Sequence, residues 1–288
     1  MLTRRVRGRT FLLRPSPETN RLIAYVLAVV ARKWRMRIVA VIAMSNHWHV
    51  VLMDDEGNIV DFTRDCHSFI GRALNACYQE TESVWSSTRP NRVEAVGAED
   101  FLAQIAYTMA NPVESCLVAH GKSWPGLRRS WPSKPKLYRR PDHFFSAEEK
   151  GGDWPKEAAL VLYRPDGYEH LSDEELAKLV TRTIREREQR FRDQHRKQGR
   201  HFLGRRAILR QSRHARPTSP PKHSDRVPTI ACRDPELRQQ RLQTDREWRI
   251  AYTDSFRRWQ RGERDVLFPP GTYLMRVRHN VRCAEPPG

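Results

Sequence analysis

The sequence predicts an α+β fold in which helices pack against an antiparallel sheet. An apolar run from Arg37 to Met44 indicates a buried central strand, and a second strand from His47 to Met53 follows a tight turn at Ser45-Asn46. Three stretches with apolar residues at helical spacing surround this pair, one before it and two after it. Because strands joined by so short a turn are antiparallel, amphipathic helices are expected to cover the sheet.

The elements before and after the strand pair follow from local signals. Thr10–Arg14 is predicted as a short strand, and the helical spacing of Leu22, Tyr25 and Val29 predicts a helix from Glu18 to Trp34. An amphipathic helix is predicted over Ile59–Gln79, with Asn58 as its N-cap.

A third helix is predicted from Glu99 to Asn111, ending there because Pro112 cannot continue it. Residues 83–96 are expected to form a loop with a short extended piece. Residues 121–145, rich in Trp, Pro, Arg and Lys, are interpreted as a loop or arm able to lie on a polyanion. These elements give the order β-α-β-β-α-(β)-α for residues 1–146.

The composition changes after about residue 147. A helical basic region is predicted over 147–210, with a capping box at Ser172 and Glu175, followed by a flexible Pro/Ser-rich linker over 211–228. Residues 229–288 are predicted to hold a helix from Pro235 to Arg261 and a short tail. The tail is expected to be strand-like at Thr272–Val277. Together these regions form a mostly helical basic C-terminal extension.

The charge balance points to an anionic partner. The chain has 288 residues, with 52 Lys and Arg against 34 Asp and Glu, a formal net charge of +18. Such an excess favours nucleic acid as the partner, with an anionic membrane surface as the second choice. The five cysteines form no CxxC pair, which argues against a zinc ribbon or a disulfide framework and fits a reducing cytosol. We expect a soluble, cytoplasmic protein.

The segment Met44-Ser45-Asn46-His47-Trp48-His49-Val50-Val51-Leu52 holds the first candidate site. Strand side chains alternate between faces, so His47 and His49 point one way and Trp48 the other. Their Cα atoms are then roughly 6–7 Å apart, which allows both imidazoles to reach one cation. The alternative is a hairpin edge with two solvated histidines.

A tyrosine on the third helix is the second candidate. Leu102, Ile105, Ala106 and Met109 form the apolar face of that helix, and Tyr107 lies on the opposite side. Asn111 is one turn further along, beside the tyrosine. The alternative is a plain exposed tyrosine.

A tyrosine facing a metal held by two histidines suits phosphodiester chemistry. The phenol attacks phosphorus, and the cation supports the negative charge that develops on the phosphate. Two imidazoles leave open positions on a divalent ion, which an amide such as Asn111 can share with phosphate oxygens and water. For this set of N and O ligands, Mg²⁺ or Mn²⁺ is expected.

These two motifs together resemble those of a known family. The segment from Met44 to Leu52 resembles the metal-binding strand of the single-tyrosine HUH transposases, which include small insertion-sequence transposases and the REP-associated tyrosine transposases. Tyr107-Thr108-Met109-Ala110-Asn111-Pro112-Val113 resembles the Y-x-x-x-N-P-V signature of the family's nucleophile helix. The order of the two motifs, about 60 residues apart, also fits. The resemblance covers roughly residues 8–135.

The resemblance implies a ferredoxin-like HUH fold and a set of roles. His47 and His49 would be metal ligands, Tyr107 the nucleophile, and Asn111 a third ligand or an orienting amide. Members of the family cleave single-stranded DNA, often beside a hairpin, leave a 5′-phosphotyrosine and a free 3′-hydroxyl, and rejoin strands as monomers or as homodimers. A cytoplasmic, nucleoid-associated location in a bacterium is then expected. Ser45 departs from the family, which often has proline there, and residues 147–288 lie outside the minimal transposase.

DNA contacts are predicted at a set of basic and aromatic residues: Arg14, Arg89, Arg92, Trp124, Arg128, Arg129, Trp131, Lys134 and Lys136. From Trp124 to Lys136 the aromatics alternate with cations, which suits stacking of unpaired bases while the backbone is held. The alternative is a loop folded over the sheet with its tryptophans buried. His67, beside Cys66, is not expected to bind metal, because adjacent helical residues diverge.

The leading hypothesis is a metal-dependent transposase that acts on single-stranded DNA. A catalytically inactive or domesticated DNA-binding protein on the same scaffold is the alternative from another class. A third hypothesis is an RNA-binding protein whose association is driven by charge alone.

Overall fold

The computed structural model describes residues 1–142, 154–220 and 229–285 and has an α+β fold. Its largest sheet has five strands, all paired antiparallel. In spatial order they are β4 (Asn91–Arg92), β1 (Leu2–Arg5), β3 (His47–Met53), β2 (Arg37–Ala43) and β6 (Arg128–Ser130). The predicted α+β class and the antiparallel sheet are thereby confirmed.

Three helices cover the two faces of this sheet: α1 (Pro17–Lys33), α2 (Ile59–Tyr78) and α3 (Ala98–Glu114). Helices α1 and α2 pack on each other, and α3 packs on β2 and β3. Trp48 of β3 contacts His67 of α2, whereas His49 contacts Tyr107 of α3. Since these neighbours on β3 point to opposite faces, α2 and α3 lie on opposite sides of the sheet.

The first strand is not where the sequence analysis placed it. Leu2–Arg5 forms β1, whereas Thr10–Arg14, predicted as a strand, makes a turn in which the Arg14 amide donates to the Phe11 carbonyl at 2.8 Å. The position beside β3 is already filled by β1, with Leu2 opposite Val50. The apolar residues of the turn contribute to the core instead of to a ladder.

Two predicted helix ends also differ. The Asn58 side chain does not cap α2, because the Asp54 carboxylate accepts from the amides of Asn58 and Ile59 at 2.8 and 2.9 Å. Pro112 does not stop α3, which continues to Glu114. Proline removes only the hydrogen bond of its own missing N–H, and the turn continues past it, with the Ser115 amide donating to the Asn111 carbonyl at 2.9 Å.

One compact unit extends from Met1 to Ala231 and so includes most of the predicted extension. Beyond residue 142 it contains β7 (Lys136–Arg139) paired with β8 (Glu157–Leu160), α4 (Asp173–Lys197), α5 (Arg205–Arg210) and β9 (Ile230–Ala231), which pairs with β5 (Glu94–Ala95). Helix α4 begins with the predicted capping box of Ser172 and Glu175 and packs along α3. The predicted boundary at 146/147 and residues 221–228 of the predicted linker lie outside the described residues.

A second compact unit extends from Cys232 to Gly288. It contains α6 (Pro235–Gln260), β10 (Leu267–Phe268), α7 (Leu274–His279) and β11 (Arg282–Cys283), around a small core of Val266, Phe268, Met275 and Val281. The prediction of a strand at Thr272–Val277 is wrong. Most of that segment belongs to α7, which buries Met275 and ends at Asn280 in a left-handed conformation. Among the described residues, no helix is long and apolar enough to cross a membrane.

Candidate active site at the sheet face covered by helix α3

Strand β3 is held in place by the side chain between its two histidines. Trp48 is fully buried, and its indole N–H donates to Nε2 of His67 at 3.2 Å. This bond satisfies a polar atom that would otherwise be orphaned in the core. Because Trp48 is anchored on one face, His47 and His49 are fixed on the other.

The two imidazoles lie edge to face, with ring centroids 4.8 Å apart. Nδ1 of His47 is 2.7 Å from Oδ1 of Asn46, and Nδ1 of His49 is 2.8 Å from Oγ1 of Thr3. A carbonyl oxygen only accepts, so Nδ1 of His47 carries its proton and Nε2 keeps a lone pair. Such partners at Nδ1 are what orient a histidine as a metal ligand through Nε2.

Asn111 of α3 is buried against this pair. Its Nδ2 lies 3.3 Å from Nε2 of His49, and its Oδ1 accepts from the Ser115 hydroxyl at 3.4 Å. An amide N–H donates, which leaves Nε2 of His49 as the acceptor and puts the proton on Nδ1, toward Thr3. This orientation is consistent with the first of the two predicted roles, that of an orienting amide.

A rotation of the Asn111 amide would exchange these roles. Turning it by about half a turn brings Oδ1 toward the imidazoles, and the Ser115 hydroxyl can then accept from Nδ2 instead of donating. Both orientations are therefore satisfied by the same neighbour. The other predicted role, a third metal ligand through oxygen, remains open to this residue.

Tyr107 faces the histidines within the same chain. Its ring centroid is 5.4 Å from that of His49, with the planes at 83°. The side chain is half-buried, while the predicted core face of α3, with Leu102, Ile105, Ala106 and Met109, is buried. The alternative of a plain exposed tyrosine is not what the structure shows.

Both histidines are held neutral by their surroundings. Burial lowers the pKa of His47 to about 4, with a further lowering by the positive charge of Arg5 and a smaller opposing effect of Asn111. The pKa of His49 lies well below its ordinary value, chiefly through burial and then through its neighbour His47. At neutral pH each imidazole is therefore unprotonated, which is the form that can bind a cation.

The tyrosine is subject to opposing influences. Burial raises the pKa of Tyr107, and Glu114 raises it further, whereas the cations Arg187 and Arg5 lower it. The Arg187 guanidinium lies 5.1 Å from the centre of the Tyr107 ring and donates to the Glu114 carboxylate at 3.1 Å. Arg187 thus stabilises a phenolate at Tyr107 while it is itself held by an ion pair.

Arg187 and Arg5 are the residues that sequence reasoning missed. Arg187 comes from α4, 80 residues after the tyrosine, and no local pattern links the two. Arg5 ends β1 directly opposite His47, and its side chain is exposed. The basic run at the N-terminus was a possible signal for Arg5, but only the pairing of β1 with β3 brings it to the site.

The donor set fits a divalent cation. His47 and His49 supply two imidazole nitrogens, and Asn111 can supply an amide oxygen. Among the described residues, no group of three or more His, Cys, Asp and Glu side chains is placed to hold a metal. Remaining positions would fall to water and phosphate oxygens, as in sites that keep open positions for a substrate.

The predicted DNA-binding residues fall into three groups, of which two keep their side chains at or near the surface. Arg89, Arg92, Lys134 and Lys136 are exposed, while Arg14 and Arg129 are half-buried and donate to the carbonyls of Gln211 and Lys134. Four exposed cations of the predicted set thus remain available to an anionic partner.

The remaining three residues of that set point inward. Trp124 and Trp131 are buried, and the Trp124 indole N–H donates to the Ala43 carbonyl at 2.9 Å. Arg128 donates to the Met109 carbonyl at 2.9 Å and is 3.4 Å from Glu188. The alternative of a loop folded over the sheet is the one observed, because β6 pairs with the edge of β2. The prediction that unpaired bases stack on these two tryptophans is therefore wrong.

The chain was compared with protein-family models, with curated proteins and with solved structures. None of the three comparisons gave a match.

Proposed function

We propose that this chain is a metal-dependent DNA strand transferase of the single-tyrosine HUH type, which cleaves and rejoins single-stranded DNA. The observation that carries the proposal is the meeting, in one chain, of a half-buried tyrosine and two neutral histidines. The Tyr107 and His49 rings are 5.4 Å apart, and the His49 and His47 rings 4.8 Å. A nucleophile and a pair of metal-binding nitrogens are thereby adjacent.

The fold gives independent support. The order β1-α1-β2-β3-α2-β4 along the chain, with β4-β1-β3-β2 across the sheet, is consistent with the βαββαβ pattern of ferredoxin-like folds. The face of the sheet that α3 covers carries the histidine pair, and α3 brings Tyr107 to that pair. We therefore propose the ferredoxin-like HUH fold for this unit.

The reaction begins with the Tyr107 phenol. Its oxygen attacks phosphorus and forms a phosphotyrosine ester with the 5′ side, while the bond to the 3′ oxygen breaks and that oxygen takes up a proton as a 3′-hydroxyl. Arg187 favours the phenolate that attacks. Arg5, exposed beside His47, is placed to contact a phosphate oxygen of the bound strand.

Rejoining is the reverse step. A 3′-hydroxyl attacks the phosphotyrosine, the phosphodiester re-forms, and the proton returns to the phenol, so no external energy source is needed. A Mg²⁺ or Mn²⁺ ion held by His47, His49 and Asn111 would polarise the scissile phosphate and offset its developing charge. With two nitrogen ligands in the set, Mn²⁺ is expected to bind more tightly than Mg²⁺.

An oligonucleotide assay tests the proposal. We expect a covalent adduct between the protein and the 5′-phosphate of a cleaved single strand, formed only with Mn²⁺ or Mg²⁺ and absent from Tyr107→Phe. Tyr138→Phe is the matched control, because this half-buried tyrosine lies on β7. If no adduct forms with any divalent metal on any strand of a diverse library, the transferase proposal is wrong.

The alternative function is a catalytically inactive DNA-binding protein on the same scaffold. The net charge of +18 favours it as much as it favours the enzyme. Retained DNA affinity without any adduct would establish this alternative. A cytoplasmic, nucleoid-associated location and a monomeric or homodimeric state remain expectations that go with the proposed family.

A further inference from the structure

The segment of residues 200–216, which we call the basic strap, belongs to the compact unit of residues 1–231, the main unit, but forms no part of its five-stranded sheet. It begins after α4, where the amides of Leu203 and Gly204 donate to the carbonyls of Cys116 and Leu117, at 3.2 and 2.9 Å. It ends beside the N-terminal turn, where the Phe11 amide donates to the Ala215 carbonyl at 3.0 Å. The strap is thus fixed at both ends by backbone hydrogen bonds.

The inward side of the strap is structural. Ile208 is fully buried in the core, and the Arg213 guanidinium lies 3.1 Å from the centre of the Tyr78 ring. Nε2 of His214 is 3.6 Å from the Glu80 carboxylate. These contacts fix which side chains of the strap face solvent.

The outward side carries five arginines, beside the exposed leucines Leu203 and Leu209. Arg200, Arg205, Arg206, Arg210 and Arg216 are all exposed. An open groove of about 840 Å³ is lined by residues 203–207, Arg210 and Gln211. Arg206 and Arg210 are four residues apart on α5, so their side chains share one face of the helix.

Little negative charge offsets these arginines. Residues 194–220 contain no Asp or Glu. The Glu80 carboxylate, which contacts His214 of the strap, is itself bound to Arg7 at 3.1 Å. No ion pair of Arg205, Arg206 or Arg210 occurs within the described part of the chain.

The C-terminal end of the strap is connected to the candidate active site through one turn. Its neighbour, the turn of residues 6–14, donates from the Val6 amide to the Asn46 carbonyl at 2.8 Å and from the Leu13 amide to the Ser45 carbonyl at 3.0 Å. Ser45 and Asn46 lead directly into His47. One turn of chain therefore separates the C-terminal end of the strap from the histidine pair.

We propose that the basic strap binds the phosphate backbone of the nucleic acid strand that enters the candidate active site. Guanidinium groups bind phosphate through paired N–H donors, and the exposed cations of the strap are arginines alone. The inference rests on the proposed function for the identity of the strand, but the binding it assigns needs no catalysis. In this proposal the main DNA-binding surface is the basic strap and not residues 124–136, and the strap lies outside the region that resembles the HUH transposases.

An anionic membrane surface is the competing partner for such a patch. Membrane-surface helices carry a continuous apolar face opposite their cations. Helix α5 has six residues, and its Ile208 side chain is committed to the core. Leu209 is then its one large exposed apolar residue, and Leu203 lies before the helix, so the two leucines form no continuous apolar face. The observations therefore favour nucleic acid.

The test is a salt titration of binding to a labelled single-stranded oligonucleotide, in a Tyr107→Phe background so that no cleavage occurs. The strap variant is Arg205→Gln, Arg206→Gln and Arg210→Gln combined. The matched control is Arg32→Gln, Arg182→Gln and Arg185→Gln, three exposed arginines on α1 and α4 with the same change in charge. Thermal unfolding of both variants reports on folding.

We expect the strap variant to bind about tenfold or more weakly at low salt and its log–log salt slope to decrease by about 2, since each lost phosphate contact removes about 0.7 for a single strand. The control should change affinity by less than about threefold, as diffuse charge would. Equal losses in both variants would overturn the proposal. So would binding of the wild type to anionic vesicles but not to oligonucleotides.

A second measurement covers a strap variant that fails to fold. Bound oligonucleotide should protect Arg205, Arg206 and Arg210 of the Tyr107→Phe protein from an arginine-modifying reagent, and should leave Arg32 and Arg182 reactive. Uniform protection, or none, would contradict the strap interface. A wild type that forms no covalent adduct while these results hold would remove the transferase proposal and leave the strap intact.

Discussion

The two faces of strand β3 place buried histidines in different chemical situations. His67, on the Trp48 side, accepts from the indole N–H through Nε2 at 3.2 Å, and burial lowers its pKa to about 3. His47 and His49, on the other side, bind Asn46 and Thr3 through Nδ1 and direct Nε2 toward Asn111 and α3. All three are neutral at neutral pH.

This difference shows that a depressed pKa does not by itself mark a functional histidine. Burial produces it on both faces. What distinguishes the faces is the environment of Nε2. In His67 this nitrogen accepts a hydrogen bond within the core. In His47 and His49 it lies on the face that holds a second imidazole, an amide that can rotate and a tyrosine ring.

The largest expected effect separates the two faces directly. We expect His49→Ala, and likewise His47→Ala, to slow adduct formation by about 1,000-fold or more, because a metal at the reacting phosphate contributes several kcal/mol. DNA affinity should be mostly retained, since the positive charge is spread over the chain. Single-turnover cleavage with Mn²⁺ and oligonucleotide binding measure the two quantities. If either variant unfolds, the histidines are structural and the metal hypothesis loses its support.

A smaller effect is expected one shell further out, at Thr3. Thr3→Val removes the partner of Nδ1 of His49 and should weaken Mn²⁺ binding by about tenfold or more, because such partners fix the tautomer of a ligand. Titration with Mn²⁺ followed by electron paramagnetic resonance measures the affinity. Thr183→Val is the matched control, since that hydroxyl donates to the Leu179 carbonyl within α4. Equal affinities in the two variants would contradict the assigned tautomer.

A change in pH dependence is expected from Arg187→Met. Loss of the guanidinium removes an influence that lowers the pKa of Tyr107, so that pKa rises and the phenolate forms at higher pH. The rising limb of the pH–rate profile should move to higher pH. On that limb, each unit by which the pKa of Tyr107 rises should lower the cleavage rate about tenfold. Arg190→Met is the control, because Arg190 lies over Phe191 and not over the tyrosine. A uniform loss of rate at every pH would indicate a structural role only.

The smallest effect on cleavage is expected on the core face. His67→Phe should leave the cleavage rate within about twofold but lower the free energy of unfolding by about 1–3 kcal/mol, because the Trp48 N–H loses its acceptor. In the wild type the pKa of His67 is about 3 in the folded state and 6.5 in the unfolded state. Between these values the unfolded state binds more protons at His67, so the stability that this residue contributes falls as the pH is lowered from 6.5 toward 3. The variant lacks this contribution, and the stability difference should narrow at acid pH in urea titrations. A large loss of cleavage would place His67 in the site.

Part of this site could be read from the sequence because short-range periodicity fixes it. The alternation within β3 placed His47 and His49 together, and the helical spacing of α3 placed Tyr107 away from its core face. The position of Asn111 beside the tyrosine followed from the same spacing.

The rest depends on pairing between distant segments. β1 has only four residues, two of them arginine, and is defined by its register with β3, which no local pattern encodes. Arg187 reaches Tyr107 only because α4 packs along α3. The segment that holds Trp124 and Trp131 has the composition of a base-stacking surface. Both tryptophans are buried instead, because β6 of this segment pairs with the edge of β2.

The central claim, that Nε2 of His47 and of His49 converge on one cation beside Tyr107, is tested most directly by a crystal structure of the full chain soaked with Mn²⁺. We predict an anomalous peak within bonding distance of both Nε2 atoms, with the Asn111 amide oxygen or a water as a further ligand and the Tyr107 hydroxyl of the same chain facing it. A fully occupied Mn²⁺ elsewhere, with both imidazoles unliganded, would contradict the account.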